Sequence, residues 1–337
     1  MDTTSHLQPV ADLSQVAEAR RTCAMLAAES GFSDETASNA AIVATELASN
    51  LAKHAGGGQL LFRKLHDPAG EDGLEILSLD SGPGMDASAC MRDGFSTGGT
   101  PGNGLGAISR LARVFDIYAR PGQGTVALAE IWPGPRNARQ PAPRYQCGAV
   151  SVAVKGESVC GDSWAIRELG AELKLIVLDG LGHGAFAAEA AAAGVRMFQS
   201  NGDRSAKDHM SAIHDALRPT RGAAGAVASI NRSQGLLTYC GIGNIAGVVA
   251  DEKAERHLVS HNGTLGHDAR VQRDFVYPWN SSCLLIMLSD GIATRWSLTS
   301  YPGLSTRHPS LIAAVLFRDF ARGRDDATVV VLREGGN

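Results

Sequence analysis

The sequence predicts two domains in tandem, both mixing helix and strand. The first is an α/β sandwich with helices on one face of a mixed sheet. The second is an α/β/β/α sandwich, two stacked sheets with helices outside. Three observations carry this reading. The chain has 337 residues, and at about 150 residues per domain that length makes two. Residues 133–145, PGPRNARQPAPRY, combine four prolines and three arginines with no apolar periodicity, the composition of a linker. Helix-type and strand-type periodicities alternate on both sides of it. The expected domains are therefore 1–132 and 146–337.

The elements follow in order. A helical pattern covers 13–29. A second helix starts after Ser33, whose hydroxyl can cap it, with Asp34 and Glu35 at the positive end of its dipole. It runs through Ile42, Val43, Leu47 and Leu51 to the stop at Gly56, Gly57 and Gly58. Strands are expected at 59–66 and 74–80, then a glycine-rich stretch at 82–106, a helix at 105–114 and strands at 115–120 and 125–131. Beyond the linker, short apolar runs predict strands at 147–154, 162–168, 172–178, 224–231, 235–241, 245–250, 283–289 and 327–332. Helices are expected at 184–199, 206–217 and 309–320. Many short strands with few helices suit two packed sheets.

Composition excludes several classes. Glycine is in excess, at 39 residues, where the usual ~7% would give roughly 24. These glycines follow no collagen period, so they serve turns or close backbone approach to a ligand. Net charge is -4, from 31 basic and 35 acidic residues, which argues against a nucleic-acid binder. No basic segment followed by an apolar core opens the chain, and no apolar run approaches the ~18 residues of a membrane span. The expectation is a cytoplasmic protein with no membrane association. The six cysteines, at 23, 90, 147, 160, 240 and 283, form no CxxC pair, which fits a reducing compartment and argues against a zinc site.

Two constellations carry chemistry. In the first, Glu46 and Asn50 stand one turn apart on one helical face. A carboxylate there can take a proton from an attacking hydroxyl, and an amide oxygen can hold Mg2+ among phosphates. The strand LEILSLD then delivers Asp80 into a turn containing Gly82 and Gly84, where its carboxylate can meet an exocyclic amine such as that of adenine. Gly102, Gly104 and Gly106 lead into a helix, and glycine amides at a helix N-terminus favour phosphate. Lys53 lies just past Asn50, where it either reaches phosphate or caps a solvated helix end.

In order, these elements resemble the GHKL ATPase family. Glu46 and Asn50 match its N box, Asp80 to Gly84 its first glycine box, and Gly102 to Gly106 its second. Thr125, after Gly124, matches a threonine that helps hold adenine. The resemblance covers most of residues 10–132, and its nearest branch is that of the small anti-sigma-factor serine kinases of bacterial partner switching. It implies ATP and Mg2+ as cofactors, Glu46 as general base, Asn50 as magnesium ligand and Asp80 as adenine contact. No His-bearing helix pair precedes the pocket, unlike in histidine kinases.

In the second constellation, acidic residues recur at strand edges: Asp162 after Gly161, Asp179 in the run DGLGHG, Asp290 before Gly291, and Asp325 with Asp326 before Thr328. Asp179 and Asp290 both end apolar strands, KLIVL and LLIML. A carboxylate there is costly unless paired or liganded. Converging carboxylates suit hard divalent cations, and two ions about 3.5–4 Å apart can share a hydroxide and clamp a phosphoryl group.

This order resembles the metal-dependent 2C-type Ser/Thr phosphatases, in their compact sporulation stage II E branch, over about residues 145–333. The resemblance implies two Mn2+ or Mg2+ ions. Asp179 would bridge them, the Gly180 carbonyl would ligate one, Asp162 would serve one metal, and Asp290 and Asp325 the other. Asp326 follows the ligand position and would support it. His183 would act as a proton donor or as a hydrogen bonder that stabilises its loop. Together the resemblances imply a bifunctional kinase and phosphatase acting on an anti-sigma-antagonist-like (STAS-like) protein in a stress-responsive sigma-factor switch. A sigma factor or a larger stress-signalling complex is the wider partner, and a homodimer stays open. The alternative is a phosphatase whose first domain binds ATP without transferring phosphate.

Overall fold

The computed structural model describes residues 4–67, 70–85, 104–134, 144–170, 172–200, 202–251, 254–269 and 272–335. They group into two compact units, Thr4–Ala142 and Pro143–Asn337. Cys90, Gly102 and most of the 82–106 and 133–145 stretches lie outside the described residues.

In the first unit, alternation and capping set the elements. The strands are β1 (His6–Val10), β2 (Gly58–His66), β3 (Asp72–Leu79), β4 (Val114–Ala119) and β5 (Thr125–Ile131). The helices are α1 (Val16–Glu29), α2 (Asp34–Asn50) and α3 (Gly104–Leu111). Ser33 caps α2 as expected, its hydroxyl accepting from the Thr36 amide at 3.3 Å. Every second strand residue points at the helices. Leu60, Phe62, Leu74, Ile76, Ala127, Ala129 and Ile131 join Val43, Leu47 and Leu51 in one core.

The sheet runs β1-β2-β3-β5-β4 with every pair antiparallel, which corrects the mixed sheet expected from sequence. The connections at 67–71 and 120–124 are too short for the crossover that a parallel pair needs. β1 was not foreseen. It is a short edge strand, and its Pro9 reads as a strand breaker although an edge tolerates it.

The second unit alternates strand after strand. One sheet contains β7 (Asp162–Leu169), β8 (Glu172–Gly180), β9 (Ala223–Asn231), β10 (Leu236–Ile242), β13 (Ser260–His261) and β14 (Phe275–Pro278). The other contains β6 (Tyr145–Val152), β11 (Ala246–Ala250), β12 (Glu255–His257), β15 (Leu284–Leu288) and β16 (Ala327–Glu334). The odd-numbered residues of β8, Leu173, Leu175 and Val177, meet Leu285, Met287, Val330 and Leu332 between the sheets. The even-numbered Ile176 and Leu178 face the opposite way, onto Phe198 of α4 (Ala185–Ser200) and Met210 and Ile213 of α5 (Ala206–Ala216). α6 (Pro309–Phe320) packs on β6 and β16, completing the α/β/β/α layering. Burial of each such Leu, Ile or Val contributes about 1.5–3 kcal/mol. No helix among the described residues is long and apolar enough to cross a membrane.

Candidate functional site

In the first unit the site is built where α2 and β3 end. Glu46 and Asn50 occupy the last turns of α2 and are half-buried. The chain then widens into a π-helical turn, Leu51–Ala55, and stops at Gly56, whose φ is 74°. Single π turns recur at functional sites, and nothing in the sequence pattern marked this one. It carries Lys53 and His54 outward into solvent.

Asp80 leaves β3 next to it. Its Oδ1 accepts from the Gly82 amide at 2.9 Å and from the Thr125 amide at 3.1 Å. The carboxylate is thus aimed by main chain. A second turn laces onto the first: the Gly124 amide donates to the Gly82 carbonyl at 3.0 Å, and the Gly122 amide to the Pro83 carbonyl at 2.7 Å. Gly124 (φ 73°) has no substitute here, because a Cβ on it would stand 2.1 Å from the Asp80 carbonyl oxygen. Gly104 opens α3, and a Cβ there would lie 2.9 Å from Glu46 Oε2. The N-terminus of α3, with Gly104 and Gly106 in its first turn, therefore faces the Glu46 carboxylate.

Glu46, Asn50, Asp80, Gly82, Gly84, Gly104, Gly106 and Thr125 thus belong to one neighbourhood of the α2, β3, α3 and β5 ends. Gly102 is the one predicted member outside the described residues. A main-chain-aimed carboxylate, a proton acceptor and a glycine-rich helix N-terminus suit a purine nucleotide with its phosphates.

In the second unit the acidic residues gather at one end of the sandwich. Asp162 starts β7 and Asp179 nearly ends β8, and the two are direct cross-strand partners. The Gly180 amide donates to the Gly161 carbonyl at 3.1 Å, which makes the Asp162–Asp179 pair the close, non-hydrogen-bonded type. Asp179 shares the face of Val177, and Asp162 that of Trp164, so both carboxylates point between the sheets.

The opposite sheet contributes at the same end. Ser289, in the inward row of Leu285 and Met287, donates to Asp162 Oδ2 at 2.6 Å. The Thr328 amide donates to the Ser289 hydroxyl at 2.9 Å, and Thr328 bonds Ser151 at 2.7 Å. Asn244 donates to Asp290 Oδ2 at 2.6 Å. Asp326 is tied to main chain, accepting from Val154 at 2.7 Å and Gly161 at 2.8 Å. Asp325 Oδ1 accepts from the Asp326 amide at 2.9 Å. Gly180 lies against α4, where a Cβ would meet the Ala187 carbonyl oxygen at 2.1 Å. His183 Nδ1 is hydrogen-bonded to Glu157 at 2.6 Å, with the imidazole mostly exposed.

So many carboxylates in one place resist ionisation. Burial pushes Asp162 up to about 7, against the bonds from Ser289 and Thr328. Burial, then the charges of Asp162, Asp290, Asp325 and Asp326, push Asp179 up to about 9. Asp290 is raised by burial and by Asp325, and Asp326 mainly by burial. Asp162 Oδ1 is buried with no hydrogen-bond partner among the described residues. Among those residues no three His, Cys, Asp or Glu side chains close into a ready-made cation cage. The donor set is nevertheless all oxygen and strongly anionic, and one of its oxygens, Asp162 Oδ1, is buried without a partner among the described residues, which fits hard divalent cations.

Ser289, Asn244, Ser151, Thr328 and Glu157 were not foreseen as site residues. The first and fourth carried a signal: each is a polar residue at the end of an inward apolar row. Asn244 and Glu157 act across long sequence separations and carried none.

Comparison with known proteins assigns the two units. Residues 10–129 match the model of the histidine kinase-like ATPase domain, and residues 170–334 that of stage II sporulation protein E. The chain is 36% identical over 118 residues to the serine/threonine-protein kinase RsbT of Bacillus subtilis, spanning 35% of this chain and 88% of that protein. It is 31% identical over 139 residues to the phosphoserine phosphatase RsbX of the same organism, spanning 41% of this chain and 70% of that protein. A solved chain of the bacterial stressosome, described as a modular system adapted to control secondary messenger signaling, superposes with a TM-score of 0.53 at 26% identity, covering 56% of this chain and 99% of its own. The chain therefore belongs to two families at once, the histidine kinase-like ATPases through its N-terminal unit and the 2C-type, stage II sporulation protein E phosphatases through its C-terminal unit.

Proposed function

We propose that this chain sets the phosphorylation level of one protein from both sides. Domain 1–132 phosphorylates a serine or threonine of an antagonist-type (STAS-like) protein of a sigma-factor switch, and domain 146–337, beyond the linker 133–145, removes the phosphate. The observation that carries the reading is the convergence of Asp162, Asp179, Asp290 and Asp325 on one sheet end, with a buried orphaned oxygen on Asp162.

In the C-terminal site Asp162, Asp179, Asp290, Asp325 and the Gly180 carbonyl hold two Mg2+ or Mn2+ ions. When bound, these ions neutralise the carboxylates and activate water toward phosphorus. Ser289 and Asn244 orient Asp162 and Asp290, and Asp326 locks the 154–161 segment beside them. His183, steered by Glu157, stands at the rim as a proton donor to the leaving hydroxyl.

In the N-terminal site Asp80 and Thr125 receive adenine, and the start of α3 with Lys53 receives phosphates. Asn50 holds Mg2+, and Glu46 accepts the proton of the attacking hydroxyl. Catalysis is then mainly positioning and charge neutralisation. RsbT and RsbX, a kinase and a phosphoserine phosphatase matched by one chain, support this pairing.

The test is Mn2+-dependent hydrolysis of p-nitrophenyl phosphate by Asp290→Asn, expected to fall about 100-fold or more. Unchanged hydrolysis removes the metal assignment. Radiolabelled ATP with a candidate antagonist protein tests the other half. ATP binding without label transfer reduces the N-terminal domain to a docking module.

A further inference from the structure

The acidic end of the C-terminal unit has cations at its rim: Arg322 and Arg324 act on Asp290, and Arg221 stands on the side of Asp179. Arg221 immediately precedes β9, beside the loop that follows Asp179. The β8–β9 register runs through Asp179↔Ala224 and Gly180↔Ala223, and the Leu181 amide donates to the Gly222 carbonyl at 3.0 Å. A Cβ on Gly182 would stand 3.3 Å from Arg221 Nη1, which places the guanidinium on the loop carrying Asp179 and His183. The main chain of Arg221 is anchored, its carbonyl accepting from His267 Nε2 at 3.0 Å. Its side chain is exposed, and its guanidinium carbon lies 4.8 Å from the ring centroid of Phe186. Among the described residues it forms no ion pair, although five carboxylates lie at the same end of the sandwich.

The surroundings of Arg221 are unusual for a solvent-facing rim. Phe186, whose ring the guanidinium meets, is 62% exposed, and Leu181, whose amide bonds the neighbouring Gly222, is 44% exposed. Both follow Asp179 in the chain. An aromatic face holds a guanidinium plane in a fixed attitude without satisfying its donors. Those donors match the paired oxygens of a phosphate, a match that a lysine ammonium lacks. Exposed apolar side chains around the same point suit a polypeptide carrying the phosphate better than a free small anion.

We propose that Arg221, stacked on Phe186, binds the phosphoryl oxygens of the incoming phosphoserine or phosphothreonine of a protein substrate. The inference rests on the phosphatase reading above. Its test uses the full chain with Mn2+, a phosphothreonine peptide as substrate and inorganic phosphate as binding probe. Arg221→Ala should raise KM about 10-fold, with kcat changing less. Calorimetric affinity for inorganic phosphate should fall by a similar factor while Mn2+ affinity holds. Arg221→Lys should recover part of both losses, and Phe186→Leu should give a smaller rise in KM. Unchanged KM and phosphate affinity in Arg221→Ala overturn the inference and leave the phosphatase reading standing. A matching loss of Mn2+ affinity also overturns it, since Arg221 would then only shape the loop. A wild-type chain that hydrolyses neither peptide nor p-nitrophenyl phosphate overturns both.

Discussion

The two sites handle carboxylates in contrasting ways. In the N-terminal unit Asp80 is met by two main-chain amides, Gly82 and Thr125, and its orientation is settled by the fold itself. In the C-terminal unit Asp162 and Asp179 stand opposite each other on neighbouring strands, with Asp290, Asp325 and Asp326 adding charge. There donors reach Asp162, Asp290 and Asp326 too, but burial and mutual repulsion outweigh them, and Asp162, Asp179, Asp290 and Asp326 are held up toward protonation. In one site the main chain sets the attitude of a single carboxylate. The other concentrates several buried carboxylates, a charge that costs stability unless it is neutralised.

Substitutions break this comparison at different points. The largest effect is expected from Glu46→Ala, which should cut phosphate transfer from ATP by about 10²–10⁴-fold while ATP binding, followed by calorimetry, survives. Transfer that persists would remove Glu46 as the base. Asn244→Ala frees Asp290 from its 2.6 Å partner and should weaken Mn2+ binding about 10–100-fold in a direct titration. An equal effect on ATP binding would show that the units are not independent.

Asp162→Asn should act in two directions. The cation-free protein should gain about 1–3 kcal/mol, because a buried orphaned carboxylate is replaced by a neutral amide. The stabilisation expected from Mn2+ in the wild type, about 2.7 kcal/mol at 100 times its Kd, should disappear, and with it the accompanying rise in melting temperature. Scanning calorimetry with and without Mn2+ reads both. Loss of stability without cation would mean that the acidic cluster is not under strain.

The smallest effect tests a buried polar group with no such role. His209, on α5, is fully buried against Phe198, and burial, then the charges of Lys174, Arg167 and Arg204, lower it to about 4. Between its unfolded value near 6.5 and about 4 the unfolded chain binds the extra proton, so stability falls as pH falls. From pH 7.5 to 6 the loss should stay below about 1 kcal/mol, and His209→Leu should flatten that part of the melting profile.

Much of this was legible in the sequence because it is local. The caps, the alternation of β8 and the strand-ending aspartates all act within a few residues, and they placed the helices, the two-sheet core and both clusters. What escaped acts at a distance or against a local signal. Pro9 disguised β1, which is admissible only because β1 is an edge. The antiparallel pairing of β2 with β3 and of β4 with β5 follows from loop lengths rather than strand composition, and that of β1 with β2 and β3 with β5 had no local signal. Glu157 reaches His183 and Asn244 reaches Asp290 from remote parts of the chain. The supporting shell of the acidic site was therefore hidden while its carboxylates were plain.

The pairing of Asp162 with Asp179 has an evolutionary consequence. Because the two carboxylates meet through strand register, their geometry depends on how many residues separate them, not only on what those residues are. β7 ends at Leu169 and β8 begins at Glu172, at the far end of the hairpin from the site. A one-residue change there that is not absorbed by a longer turn would slip the register and turn one carboxylate to the opposite face. That distant turn is constrained in length, and at Gly170, whose φ of 61° disfavours a side chain, in composition too, so both should persist across descendants of this gene.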